Sequence, residues 1–192
     1  MAQATGFVVA GGRSERMGRD KALLPWAGST LVEHALLRLR EVCTDVRILS
    51  GPEARYAGYG ATVHTDVVRD AGPLAGLHAG LLSLAAPLGL FLGVDTPLVP
   101  PALLGALVAA AAGFDAVVPV VGGRPEPLSA VYRESCLGPV RRRLAAGERK
   151  MTSFWPDVRV RAMAEEELAA FGDPELMFRN LNTPEDYLRL RG

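Results

Sequence analysis

Thr5-Gly-Phe-Val-Val-Ala10 runs directly into Gly11-Gly-Arg-Ser-Glu-Arg-Met-Gly-Arg-Asp-Lys21, and the junction of these two stretches decides the fold. The first is short, continuously apolar and rich in β-branched and aromatic residues, the pattern of a parallel strand buried on both faces. The second is glycine-rich and basic. Small residues there let backbone N–H groups approach an anion, and Arg13, Arg16, Arg19 and Lys21 supply charge for a polyphosphate. A solvated basic loop is the bland alternative; the strand placed immediately before it weighs against that reading. Neither familiar phosphate loop fits. Gly12 to Gly18 holds five intervening residues where the Walker loop needs four, Gly18 is followed by Arg-Asp, and GxGxxG fails at Gly11-Gly-Arg-Ser-Glu.

Outward from this junction, strands and helices alternate. Thr30-Leu-Val-Glu33 offers a capping box ahead of apolar Val32, Ala35, Leu36, Leu39 and Cys43. Asp45 to Ser50 and Ala61 to Thr65 read as short strands. Pro73 opens a helix expected over Leu74 to Ala86, in which Gly76 and Gly80 mark close packing or close approach of a ligand. Leu88 to Val94 reads as a fourth buried strand ending at Asp95-Thr-Pro97, Pro100 to Ala112 as a helix stopped by Gly113, and Asp115 to Val120 as a strand. The order predicts a three-layer α/β/α domain on a mostly parallel, Rossmann-like sheet. After Val121 come a turn (Gly122-Gly-Arg-Pro-Glu-Pro127), a strand over Leu128 to Arg133, a helix over Cys136 to Ala146, a strand over Val158 to Met163, a short helix over Glu165 to Ala170 and a last helix capped by Thr183. This half reads as an elaboration of one 1–192 domain, not a second domain.

Composition narrows the function. The 192 residues carry 21 Lys plus Arg against 21 Asp plus Glu, so the chain lacks the basic excess with which polyanion-coating proteins displace counterions. A small ligand fits better than nucleic acid. Arg141, Arg142 and Arg143 fall on different faces of a helix and read as a solvated surface. Two cysteines, Cys43 and Cys136, form neither a CxxC pair nor a metal cluster, which suits a reducing cytoplasm. His34, His64 and His78 show no ligand spacing. The most apolar stretch, Leu81 to Val94, is too short to cross a bilayer, and Met1 to Thr5 lacks the basic region of a signal peptide.

Four motifs then stand together in order: Ala10 to Lys21, Gly72-Pro-Leu-Ala-Gly76, Asp95-Thr-Pro97 and Asn180-Leu-Asn-Thr-Pro184. Over nearly the whole chain this set resembles the molybdenum cofactor guanylyltransferases, and the double glycine after Ala10 with GPLAG favours the guanylyl over the cytidylyl branch. The resemblance implies a nucleotidyltransferase-type sheet and transfer of GMP from GTP to molybdenum-bound molybdopterin, with pyrophosphate released and Mg²⁺ required. It also implies a nucleotide-binding half over 1–120, a pterin-substrate half over 121–192, and transient contact with molybdenum-insertion or molybdoenzyme maturation proteins. No nucleic acid and no membrane enter.

Carried onto this chain, the resemblance makes Val9, Ala10, Gly11, Gly12, Ser14, Gly18 and Lys21 a triphosphate cradle in which Arg16 and Lys21 stabilise charge. Asp95, at a strand end, is the expected Mg²⁺ ligand; its alternative is a helix cap. Asp66 is a nucleotide contact and a candidate second neighbour of the metal, with a turn aspartate as alternative. Gly76 sets the approach of the GPLAG helix. Asn180 and Asn182, two apart on an extended segment, point to one side and toward the pterin or the metal-bound phosphates, with capping as the alternative for Asn182. One departure stands out. Related enzymes often present an asparagine after the second strand, where this chain has Leu49-Ser-Gly-Pro-Glu53, with Ser50 or its backbone in its place. Competing activities are cytidylyl or sugar-phosphate transfer, and, in another class, a nucleotide-binding regulator without turnover.

Overall fold

A computed structural model describes residues 3–11, 20–68 and 71–191. Its elements in chain order are β1 (Ala4–Val9), β2 (Pro25–Trp26), β3 (Ser29–Thr30), α1 (Leu31–Arg40), β4 (Asp45–Leu49), β5 (Thr62–His64), α2 (Pro73–Leu82), β6 (Leu88–Gly93), α3 (Pro101–Ala109) and β7 (Ala116–Val121). Then follow β8 (Arg124–Pro125), β9 (Val131–Arg133), α4 (Leu137–Ala145), β10 (Val160–Met163), α5 (Glu165–Leu168), α6 (Pro174–Met177) and α7 (Pro184–Arg191).

The main sheet runs β10-β7-β9-β6-β1-β4-β5, with β8 hydrogen-bonded to β7. Pairings β1/β4, β1/β6, β4/β5 and β7/β10 are parallel; β9 runs antiparallel between β6 and β7. The sheet is therefore mostly parallel, as expected, and the strand predicted over Leu128 to Arg133 is short and reversed. Strand alternation divides the core. Val8, Leu90 and Leu92 face α1, α3 and the C-terminal helices, whereas Phe7 and Phe91 face α2 and α4. Phe7 and Phe91 stack at 4.9 Å between centroids. Gly80 is needed there, since a Cβ on it would lie 2.6 Å from the Phe91 ring.

Several boundaries differ from the sequence reading for local reasons. The capping box forms, with Thr30 Oγ1 accepting from the Glu33 amide and Glu33 Oε2 accepting from the Thr30 amide at 2.9 Å. The helix stops at Arg40, so Cys43 is buried from the following turn and not from the helix. α2 ends at Leu82 and not Ala86, because the Ser83 hydroxyl donates back to the Ala79 and Gly80 carbonyls and closes the last turn. The β2–β3 hairpin was not expected. Its turn, Ala27-Gly28, takes positive φ at both residues (47° and 82°), the geometry of tight two-residue hairpins.

Candidate active site

The register of the parallel strands builds the site. Val9 pairs with Leu49 and with Gly93, and Leu49 pairs with His64, so these four residues form one row across the sheet. Two residues past that row stand Gly11, Gly51, Asp66 and Asp95, all at the carboxyl edge. The chain winds from β1 through β4 to β5, then crosses to the other side of β1 as β6. Crevices at such reversals are where open α/β sheets bind ligands.

Two adjoining cavities open at this reversal. One is lined by Val9, Gly11, Gly51, Asp66, Gly72, Gly76 and Leu128; the other, of about 100 Å³, by Val9, Ala10, Gly11, Lys21, Asp95 and Leu128. Of the sequence candidates, the structure thus brings Val9, Ala10, Gly11, Lys21, Asp66, Gly76 and Asp95 together. Gly12, Ser14, Arg16 and Gly18 lie outside the described residues, as does Asp70. A wider open groove lined by Pro87, Glu134, Leu137 and Arg141 lies at the amino-terminal end of β6, away from this edge.

Lys21 Nζ stands 3.4 Å from Asp95 Oδ2, with side chains 15% and 23% exposed. Their partial exposure leaves both in reach of a ligand. Asp95 does not cap a helix: α3 starts after Pro100 with no side-chain cap, while the Asp95 carboxylate folds back over Gly93, where any Cβ would collide with it. The Asp95 carbonyl accepts the Leu181 amide at 2.9 Å, which pins the segment carrying Asn180 and Asn182 beside the site. Asn180 Nδ2 donates to the Phe178 carbonyl at 3.4 Å and Asn182 is exposed. The cap of α7 belongs to Thr183, whose Oγ1 accepts the Asp186 amide, so capping does not occupy the Asn182 side chain.

Asp66 is half-buried, its amide donates to the Gly51 carbonyl at 2.8 Å, and burial holds its carboxyl above the usual carboxylate range. A Cβ on Gly76 would lie 3.9 Å from Asp66 Oδ1, so this glycine faces the cavity while Gly80 serves packing. Gly11 has a second reason for its lack of a side chain: a Cβ there would lie 2.8 Å from the Gly51 nitrogen. Of the two Ser50 alternatives, the hydroxyl is taken up within its own turn. Ser50 is fully buried, and its hydroxyl donates to the Glu53 carbonyl at 2.6 Å, so its polar group is spent inside the turn and Gly51 lines the cavity instead.

Sequence reasoning missed two features. Glu126, read as part of a plain turn, has a carboxyl pushed up to about 7, first by burial and then by the negative charge of Asp95. Its turn is tied to the Asp95 turn by the Thr96 and Ser129 hydroxyls, 3.0 Å apart, and to β7 by the Glu126 amide donating to the Pro119 carbonyl. Its only sequence signal is a carboxylate between two prolines. The other feature is Asp20, which accepts hydrogen bonds from Arg55 and Tyr56.

A divalent cation fits these residues. Asp95 offers a hard, partly exposed oxygen at a cavity, and the charge shared with Glu126 is of the kind a cation relieves; Mg²⁺ takes one or two carboxylates and completes its shell with water and substrate phosphates. Among the described residues no group of three or more His, Cys, Asp or Glu is arranged to hold a metal ion by itself.

A parallel sheet with its crevice at the strand reversal, a glycine-bearing strand end and a lysine–aspartate pair define an α/β nucleotidyltransferase. The model of the MobA-like NTP transferase domain matches residues 6–161, and the chain belongs to this family. A Pelotomaculum thermopropionicum relative named "Probable molybdenum cofactor guanylyltransferase" is 38% identical over 191 residues, covering 100% of this chain and 93% of the relative. The solved molybdopterin-guanine dinucleotide biosynthesis protein A from Archaeoglobus fulgidus superposes with a TM-score of 0.84 at 28% identity, covering 97% of this chain and 96% of its own. Rv0371c of Mycobacterium tuberculosis H37Rv, solved in complex with manganese, shares the fold with a TM-score of 0.69 at 21% identity, over 99% of this chain and 98% of its own.

Proposed function

We propose that this chain transfers GMP from GTP to molybdenum-bound molybdopterin, forming the guanine dinucleotide and releasing pyrophosphate. The observation that carries the reading is the Lys21–Asp95 pair at the strand-reversal cavity, and the names of the relatives supply the substrates. An oxygen of the pterin phosphate attacks the α-phosphorus in line as the bond to the β-phosphate oxygen breaks. That oxygen is ionised at neutral pH, so no side-chain nucleophile is required and catalysis rests on positioning and charge stabilisation. The Lys21 ammonium faces charge growing on pyrophosphate. Asp95, with Glu126 near it, would hold Mg²⁺, which neutralises phosphate charge when bound. Arg16 and the residues from Gly12 to Gly18 remain part of the triphosphate cradle in this proposal. Asp66, Gly72 and Gly76 line the adjoining cavity, the place for the nucleoside. Residues 1–120 supply the nucleotide side of the site, and residues 121–192 the pterin side through Asn180 and Asn182.

Buried, free Cys43 and Cys136, whose thiols are pushed up to about 11 and about 12 by burial, suit a cytoplasmic setting. No described helix is long and apolar enough to cross a membrane. The deciding experiment supplies each of the four nucleoside triphosphates with Mg²⁺ and molybdenum-loaded molybdopterin and measures pyrophosphate. GTP alone should give rapid release. Equal or faster release from CTP would overturn the guanylyl assignment, and binding of GTP without release would favour a regulator.

A further inference from the structure

We infer that Arg55 and Tyr56 are positioning residues for the transfer reaction: together they hold Asp20, and Asp20 sets where Lys21 stands in front of Asp95. The inference rests on the reading of the chain as a nucleotidyltransferase. Both oxygens of Asp20 are engaged. Oδ1 accepts from the Ala22 amide at 3.1 Å and the Tyr56 hydroxyl at 3.0 Å; Oδ2 accepts from Arg55 Nη1 at 2.9 Å and the same hydroxyl at 2.8 Å. Arg55 Nη2 also donates to the Ser50 carbonyl at 3.1 Å. One guanidinium therefore ties the end of the Gly-rich segment to the turn after β4, and its carbon lies 5.2 Å from the centroid of the Tyr56 ring.

The backbone of Tyr56 gives a second, independent sign. Its φ is 68°, in the left-handed region that disfavours a side chain, yet the residue is buried with its hydroxyl on Asp20. Surrounding contacts hold this conformation against local preference, and residues kept so concentrate where geometry serves function.

The chemistry explains what is gained. A lysine ammonium on its four-carbon stem is a mobile point charge, and it stabilises a transition state only as far as it is placed beforehand. Asp20 caps the 3-10 turn Lys21–Leu23 through the Ala22 amide, so fixing Asp20 fixes the backbone from which Lys21 reaches Asp95. Arg55 and Tyr56 act through this turn and not on the transferred phosphate.

The test compares wild type with Tyr56→Phe, Arg55→Ala, Arg55→Lys and Lys21→Ala. Pyrophosphate release from GTP, with Mg²⁺ and molybdenum-loaded molybdopterin, gives kcat and KM, and hydrogen exchange of the Ala22 amide is followed without ligand. Tyr56→Phe and Arg55→Ala should each lower kcat roughly 5- to 50-fold, the cost of a misplaced catalytic group, with KM for GTP within about threefold. Exchange at Ala22 should quicken about tenfold as the turn loosens. Arg55→Lys should recover part of kcat, and either substitution added to Lys21→Ala should cost little more than Lys21→Ala alone, since both act through Lys21. Wild-type kcat with unchanged exchange in Tyr56→Phe and Arg55→Ala would overturn the inference, as would losses that multiply in the double variants. If wild type releases no pyrophosphate from GTP, the functional reading fails, while Ala22 exchange still decides whether this pair holds the turn. Should Arg55→Ala not fold, Tyr56→Phe, which removes one oxygen, decides alone.

Discussion

Two turns bring carboxylates near one another by different routes: Asp95 lines the cavity it shares with Lys21, and Glu126 lies close enough for the Asp95 charge to raise its pKa. Asp95 arrives at the end of β6, a strand buried along its whole length and flanked by parallel β1, so its place at the sheet edge follows from being at the strand end. Glu126 arrives from the far side, after the two-residue β8 and before the antiparallel β9, which slots between β6 and β7. Nothing in Pro125-Glu-Pro127 marks a site. A carboxylate at the end of a buried parallel strand can be placed from the chain alone, whereas one on an inserted return is placed by pairing with strands distant in sequence. The Thr96–Ser129 hydroxyl contact joins the two turns into one wall.

Asp95→Asn should separate the two turns most sharply. If Asp95 holds the cation, turnover measured as pyrophosphate release falls at least about a hundredfold, matching the several kcal/mol a metal supplies. The melting temperature should move little, because α3 makes no use of this carboxylate and a partly exposed ion pair contributes about 1 kcal/mol or less. Near-normal turnover would break the comparison. Glu126→Gln should cost less, about tenfold or under, since it leaves the backbone hydrogen bond to the Pro119 carbonyl in place and changes a group that assists Asp95 without replacing it. A larger loss than in Asp95→Asn would reverse the ranking of the two turns.

The smallest effect concerns support of the Asp95 turn from behind. His34 Nε2 lies 3.0 Å from the Pro97 carbonyl and 2.7 Å from Arg38 Nε, and burial first, then Arg38, lowers its pKa below the usual histidine value; the contact with the Pro97 carbonyl opposes them. The unfolded chain therefore binds this proton more readily. Its share of stability is intact above about pH 6.5 and is lost as the pH falls through that value toward the folded-state pKa. His64 and His78 are lowered too, mainly by burial, so between pH 7.5 and 5.5 the three histidines lower the melting temperature, while Glu126, pushed up to about 7, takes up a proton in the folded state and opposes them. His34→Gln should lose less over the same interval, as followed by thermal denaturation. An identical pH dependence in the variant would show that His34 does not charge on unfolding.

Much of the site's parallel side was legible. The capping box, the proline that opens α2 and the apolar runs of β1 and β6 are local signals, and local hydrogen bonds and burial patterns are what short stretches encode. The partner of the Ser50 hydroxyl is not legible without tertiary information. A serine after a strand offers a hydroxyl to a ligand and to a nearby carbonyl equally well, and here the Glu53 carbonyl takes it. Gly11 was understood only in part, because the backbone it approaches belongs to Gly51, brought alongside by the β1/β4 register. The Ala27-Gly28 hairpin could have been found from its two-residue turn between Trp26 and Ser29.

The sequence by itself determined a parallel α/β sheet, the basic Gly-rich segment after its first strand and the aspartate at the end of β6, since each depends on residues adjacent in the chain. Only the tertiary structure decided that Gly11, Gly51, Asp66 and Asp95 share one edge, that Asp20 is clasped by Arg55 and Tyr56, and that the Glu126 turn is joined to the Asp95 turn through Thr96 and Ser129. These depend on strand register and on an inserted antiparallel strand, where contacts between distant residues set the free energy and no short stretch carries the information.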